Sequence, residues 1–336
     1  MRYYKGYRRS HTVTGIILLV WLAAAVALTG CGDAAREVLA ENGYTAEQGT
    51  SNNTTGTEYI YGIPMDENAG IVTENVADIY SSPDVKSTRI TQALYNQPVS
   101  ILRQEPGWAS VVAVDGSSGW MKLKFIDSDV SSIYGKSYTH RIIVTSREKS
   151  ITSNPSGGIT LMGAPMGSEF FAFNSSDDDA YEVFLPGNRT GWVKGSGIIH
   201  IRLDDKVPVT NADDFAATAL RFKGASFLLN GMSAMGIDAP GLVYICARIN
   251  GVDLPRSLSG QMASGTEIKP EDAQTGDLLF LAGTGEGEGE TVTCVGIAIG
   301  GGNYLYAGRK TGFVEVGDIN KDSVEGRIIA ARRIFN

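Results

Sequence analysis

Histidine is among the scarcest of the residues that do chemistry in this chain. There are three, His11, His140 and His200, and none beyond position 200 in a sequence of 336 residues. Any reaction placed in the last third must therefore run without an imidazole of its own, which excludes a local thiol–imidazole or hydroxyl–imidazole pair. Cysteine is equally sparse: Cys31, Cys246 and Cys294. Three isolated cysteines exclude a disulfide framework and a cysteine-rich metal site. Positive charge is also in short supply, with 29 Lys and Arg against 37 Asp and Glu and a net charge of -8. That balance argues against nucleic acid as a partner. No cofactor or metal is expected.

What is present divides along the chain. Arg2, Lys5, Arg8 and Arg9 precede an apolar run, Gly15 to Leu28, that ends in Leu28-Thr29-Gly30-Cys31. This order of basic, apolar and small residues reads as a signal peptide over 1–30. It looks like a bacterial lipobox, which implies lipidation of Cys31, extracytoplasmic placement in the cell envelope, and membrane attachment through acyl chains. Residues 31–58 are polar and read as a flexible tether.

From 59 to 130, short β-like runs such as Val76 to Tyr80 and Trp108 to Val114 are separated by turn signals, including Glu105-Pro106-Gly107. A second unit, 138–203, has the same rhythm. Gly119-Trp120-Met121-Lys122 and Gly191-Trp192-Val193-Lys194 form a weak internal repeat. Both units resemble bacterial SH3-type barrels. The acidic Asp177-Asp178-Asp179 is expected to be a solvated hairpin tip rather than a calcium loop, and Glu286 to Glu290 a solvated loop.

The last region, 204–336, changes character. A helix is expected over 213–223, with Phe215, Ala216, Ala219 and Leu220 on one face, and a second over 241–250, where Leu242, Val243, Ile245, Cys246 and Ile249 recur at helical spacing. Pro240 suits the first turn of that helix and Gly251 its end. Strand-like runs follow at 277–281, 292–299, 304–307, 313–316 and 327–335. Helices first and an antiparallel sheet after is an α+β pattern. The expected fold is multidomain: two all-β SH3-type barrels followed by an α+β domain.

Five fragments of this last region, in order, resemble the NlpC family of papain-like cell-wall cysteine peptidases. They are Phe222 to Gly231; Asp238-Ala239-Pro240-Gly241-Leu242-Val243; Leu254-Pro255-Arg256-Ser257 with Gln261; Thr275-Gly276-Asp277-Leu278-Leu279-Phe280; and Cys294-Val295-Gly296-Ile297 with Tyr304 to Ala307. The resemblance implies a nucleophilic thiol at a helix N-terminus, an imidazole on the facing strand and a third polar group to orient it. Those positions hold Ala239, Cys294 and Tyr306. A methyl group cannot attack a carbonyl. The resemblance thus implies a degenerate catalytic set in a scaffold that binds a peptidoglycan stem peptide or a protein partner. Asp238, Arg256, Ser257 and Tyr306 are the implied groove residues. Arg89 and Ser117 stand where relatives selective for a free N-terminal alanine carry a glutamate and a tyrosine. Two other readings stay open: a residual cell-wall hydrolase using Cys294 or histidines from the SH3-type units, and a purely structural envelope lipoprotein.

Overall fold

The computed structural model describes residues 57–173, 180–283 and 291–335. The lipobox cysteine Cys31, the tether to residue 56, the acidic tip 177–179 and the Glu286–Glu290 run lie outside the described residues.

A two-stranded hairpin, β1 (Tyr59–Ile60) and β2 (Ile63–Pro64), opens the described chain. Seven strands follow: β3 (Ala69–Val72), β4 (Val76–Tyr80), β5 (Arg89–Leu94), β6 (Pro98–Glu105), β7 (Trp108–Ala113), β8 (Ser118–Lys122) and β9 (Ile126–Asp127). They form one antiparallel sheet in the order β5-β4-β8-β7-β6-β3-β9. The next seven are β10 (His140–Val144), β11 (Glu148–Asn154), β12 (Gly157–Pro165), β13 (Glu169–Ala172), β14 (Ala180–Leu185), β15 (Arg189–Lys194) and β16 (Ile198–Arg202). Their order is β12-β11-β15-β14-β13-β10-β16. Each label is the first sheet's advanced by seven, so the second unit repeats the topology of the first strand for strand. The register repeats too: Ser110 faces Trp120 across β7 and β8, and Glu182 faces Trp192 across β14 and β15.

Each unit fills its own interior. Ile79, Val99, Val111 and Met121 are buried in the first, and Ile142, Ile151, Phe170 and Val193 in the second. The sequence places the start of the first barrel at 59, and the structure differs. Ile63 and Met65 pack with Ile133, Tyr138, Phe171 and Phe184, so the opening hairpin and the 130–138 connection fill the seam between the units.

The last region contains helix α1 (Ala212–Leu220), a small hairpin of β17 (Met232–Ser233) and β18 (Gly236–Ile237), helix α2 (Ala239–Ile249) and the short helix α3 (Leu258–Met262). Then come β19 (Thr266–Ile268), β20 (Leu278–Ala282), β21 (Val292–Gly300), β22 (Asn303–Ala307), β23 (Val314–Asp318) and β24 (Arg327–Arg333), ordered β19-β24-β20-β21-β22-β23. Asn211 caps α1 by accepting from the Asp214 N–H at 2.8 Å. The face α1 buries is Phe215, Ala216, Thr218 and Ala219; the expected Leu220 is 41% exposed. Leu220 is the last residue of the helix, and Arg221 is its C-cap. Helix α2 begins two residues before the expected start and is buried on nearly every side, packed against β21 and β22. An all-round apolar helix of this kind lies inside a core rather than on it.

The SH3-type units are joined to this core rather than strung beside it. Leu94 of the first unit and Ile143, Met166 and Ile201 of the second belong to the same apolar cluster as α2. Among the described residues no helix is long and apolar enough to cross a membrane.

Candidate functional site

The site is built around the N-terminus of α2. Asp238 is its N-cap: Oδ1 accepts from the Gly241 N–H at 2.8 Å, satisfying a donor the helix cannot. Oδ2 accepts from the Asn230 N–H at 2.9 Å, and Arg256 Nη2 donates to Oδ1 at 2.8 Å. Both side chains of this ion pair are nearly buried. Asp238 and Arg256, two of the implied groove residues, therefore meet, but they spend their polar atoms on each other and on the chain. Ser257 is similarly occupied as the cap of α3, accepting from the Gly260 N–H at 3.1 Å. Gln261, fully buried, donates to the carbonyls of Pro240 and Pro255, both at 2.9 Å, and clamps α3 to the first turn of α2. Position 241 has no room for a side chain: an added Cβ would lie 2.4 Å from the Gly231 carbonyl oxygen.

Ala239 is the first residue of α2 and is 4% exposed. Opposite it, Cys294 lies in β21, and Asp238 is close enough for its charge to act on the thiol. Burial first, then the carboxylates of Glu325 and Asp238, push the Cys294 thiol up to about 12. At neutral pH it is protonated, and its nearest polar contact is the Val295 carbonyl at 3.7 Å. An activated thiol needs the reverse, a positive partner or a helix N-terminus.

Tyr306 pairs with Gly296 of β21 and Glu315 of β23 in the sheet register. Its hydroxyl donates to Glu315 Oε1 at 2.6 Å, and its ring stacks on Tyr304 with centroids 5.2 Å apart. Burial and that hydrogen bond raise its pKa well above the ordinary phenol value. Ala239, Cys294 and Tyr306 all belong to the large apolar cluster of the last region. The partners Glu315 and Glu325 are absent from the sequence reading. Glu315 is recoverable from strand alternation opposite Tyr306. Glu325 sits in the turn before β24, and nothing local marks it.

The histidines of the SH3-type units stay in the second sheet. His140 is on β10 and His200 on β16, their rings 6.4 Å apart and both beside Tyr181. Arg89 reaches the site's rim: its Nη1 donates to the Leu229 carbonyl at 3.2 Å, and its own carbonyl accepts from Asn230 Nδ2 at 2.6 Å. The Arg89 guanidinium is held by Asp78, Nε to Oδ1 2.7 Å. Ser117 sits in the β7–β8 turn, its N–H donating to Asp115 Oδ1 at 2.9 Å. No cluster of metal-ligating side chains occurs among the described residues.

The site thus lies where a buried helix packs on an antiparallel sheet, behind two β units. Comparison with known proteins makes this specific. Residues 224–333 match the NlpC/P60 family, and residues 75–127 match the bacterial SH3 domain. The chain carries an NlpC/P60 domain behind an SH3-like all-β region. It is 25% identical over 300 residues to the gamma-D-glutamyl-L-lysine dipeptidyl-peptidase of Bacillus subtilis, covering 83% of this chain and 88% of that protein. It is 32% identical over 117 residues to the murein DD-endopeptidase MepS/murein LD-carboxypeptidase of Escherichia coli, which is 34% of this chain and 58% of that protein. A crystal structure of an NlpC/P60 family protein from Bacillus cereus superposes with a TM-score of 0.69 at 22% identity, over 80% of this chain and all of that one. That likeness shows the fold. The chain is therefore a homologue of cell-wall peptidases.

Proposed function

We propose that this protein is a catalytically silent NlpC/P60 homologue, lipid-anchored through Cys31 in the cell envelope, that uses the face around α2 to bind peptidoglycan stem peptides or a protein partner. The observation that carries this reading is the triple replacement at one place: a methyl at the helix N-terminus, a protonated buried thiol on the facing strand, and a phenol closed onto Glu315. Loss of nucleophile and base together removes several orders of magnitude of rate even from an intact pocket.

The rim favours a protein partner over a small stem peptide. Asp238, the implied anchor for a peptide's amino group, is neutralised by Arg256. Leu229, Met235 and Phe313 are 48%, 65% and 54% exposed. Leu229 and Phe313 belong to the segments joined by the Ser226–Phe313 bridge, and Met235 is in the β17–β18 turn. Large exposed apolar side chains grouped beside a site are what an interface presents before its partner arrives.

The test is mass spectrometry of defined muropeptides incubated with the full-length chain, alongside an Ala239→Cys/Cys294→His double variant. Unchanged muropeptides with the native chain are expected. Fragments matching cleavage at a γ-D-glutamyl bond would sink the silent-site reading and point to Cys294. Cleavage by the double variant alone would support stem-peptide binding, and silence from both would support the protein partner.

A further inference from the structure

We propose that a cleft on the first SH3-type unit, between the β4–β5 loop and the joined ends of β7 and β8, binds an anionic saccharide. The cleft is about 480 Å³ and is lined by Pro83, Val85, Trp108, Lys122 and Lys124, with Asp84 on its rim. Trp108 is half-buried and held edge-on by Tyr80, centroids 5.8 Å apart at 84°. The partly exposed indole lines the cleft together with Pro83 and the 49% exposed Val85. Lys122 sits directly across the sheet from Trp108, its Nζ 5.9 Å from the ring centroid. Among the described residues, neither Lys122 nor Lys124 makes an ion pair with a carboxylate. The one acid on the rim, Asp84, turns Oδ1 onto the Lys86 N–H of its own loop at 2.9 Å. A flat apolar face beside two ammonium groups suits a sugar ring that carries a carboxylate or phosphate.

The internal repeat supplies a control inside the same molecule. The second unit has a cleft at the equivalent place, with Pro155 where the first has Pro83 and Lys194 where it has Lys122. There the register puts Ala180 opposite Lys194, the indole of the cleft is that of Trp192 instead, and Ser196 replaces Lys124. The remaining lysine, Lys149, donates to the carbonyls of Lys194 and Ser196 at 2.7 and 2.6 Å, and Glu148 adds a negative charge. The two clefts share a position and differ in chemistry, and the difference assigns the anion to the first.

The experiment is calorimetric titration of the full-length chain with two anionic probes. N-acetylglucosaminyl-N-acetylmuramic acid supplies a carboxylate and N-acetylglucosamine 1-phosphate a phosphate. Chitobiose and a glutamate-rich hexapeptide are the comparisons. One anionic probe is expected to bind, more weakly as salt rises. Its affinity is expected to fall at least tenfold in Lys122→Glu/Lys124→Glu and in Trp108→Ala, and to be unchanged in Trp192→Ala. Which probe binds names the source of the charge. The lysine pair is at the surface, so that variant keeps the test open if Trp108→Ala does not fold. Absence of binding by both probes, equal binding of chitobiose, tighter binding of the acidic peptide, or indifference to the lysine variant would each overturn the proposal.

Discussion

At the scale of single residues, the site is decided by what surrounds Asp238 and Cys294. The Asp238 carboxylate caps α2, holds the Asn230 backbone and pairs with buried Arg256. Asp238→Ala removes a cap and strands a buried guanidinium. The first loss costs about 1 kcal/mol and the second about 3–5 kcal/mol. Asp238→Asn keeps an acceptor for the cap and is expected to cost less. Urea denaturation read by circular dichroism separates the two. Equal stability of Asp238→Ala and the native chain would show that the pair contributes nothing. Cys294 makes a pH prediction with a definite sign. Its folded pKa of about 12 lies above the ordinary thiol value of 9.0, so the folded form holds the proton that the unfolded form gives up. Its contribution is complete below 9.0 and declines as pH rises toward 12, by about 1.4 kcal/mol per pH unit. A Cys294→Ala chain is expected to lose less stability between pH 9 and 10 than the native chain. Alkylation of Cys294 by iodoacetamide in the folded protein is expected to be slow at pH 8. Rapid labelling there would mean an activated thiolate and would revive the hydrolase reading.

At the scale of elements, α2 does two jobs at its two ends. Its N-terminus builds the site, and its last turn carries Arg248 into a buried cluster with Glu169 of β13, Arg141 of β10 and Tyr61 of the opening hairpin. Arg248 Nη2 donates to Glu169 Oε1 at 2.9 Å, its guanidinium carbon lies 4.7 Å from the Tyr61 ring centroid, and its charge suits a helix C-terminus. The two arginines hold the Glu169 carboxyl below the usual range despite its burial. Glu169→Gln leaves two buried cations short of a counter-charge, and a loss of about 3 kcal/mol is expected, measurable by thermal or urea unfolding. A loss under about 0.5 kcal/mol, the scale of an exposed pair, would show that the cluster is solvated. How much of this was legible differs by element. Helix α2 was legible because its apolar residues recur at helical spacing, though Ala239 and Pro240 enter the helix because Asp238 caps it. The hairpin β11–β12 was not legible. Its strands carry Ser150, Thr152, Ser153 and Thr160 on exposed faces, and Gly157 and Gly158 take positive φ at the turn, so no alternation of apolar and polar residues survives. Helix α3 is five residues long, too short for a period, and is held by Gln261 rather than by an apolar face. The positions Ala239, Cys294 and Tyr306 were singled out by family resemblance; the carboxylates Glu315 and Glu325 beside Tyr306 and Cys294 were not, because a partner across a sheet or a turn leaves no local trace.

At the scale of the whole molecule, the question is whether the SH3-type units and the NlpC/P60 domain act as one body. Leu94, Ile143, Met166 and Ile201 enter the core of the last domain, Gln92 accepts from the Met232 N–H at 2.9 Å, and Arg221 donates to the Thr145 carbonyl at 2.6 Å. Fixed in this way, Arg89 is a permanent part of the site's rim rather than a visitor to it. The Glu169 cluster joins the opening hairpin, the second unit and α2, so its ionisation governs the junction. Because the folded carboxyl titrates below the ordinary value of 4.5, its contribution is complete above that pH and is lost as pH falls through the folded pKa. The native chain is expected to unfold in a single calorimetric transition at pH 7. A Glu169→Ala chain at pH 7, or the native chain acidified until the folded carboxyl is protonated, is expected to separate into two transitions, one for the β units and one for the α2 domain. A single transition in both cases would mean that the apolar seam alone couples the units and that the buried charges are dispensable. The proposed lipid attachment sets an outer limit on where this body works: on that proposal, Cys31→Ser is expected to move the protein from the membrane fraction to the soluble fraction while leaving the unfolding profile unchanged. Retention in the membrane fraction would remove the anchor from the argument and leave the α2 face and the Trp108 cleft as the protein's means of attachment to the wall.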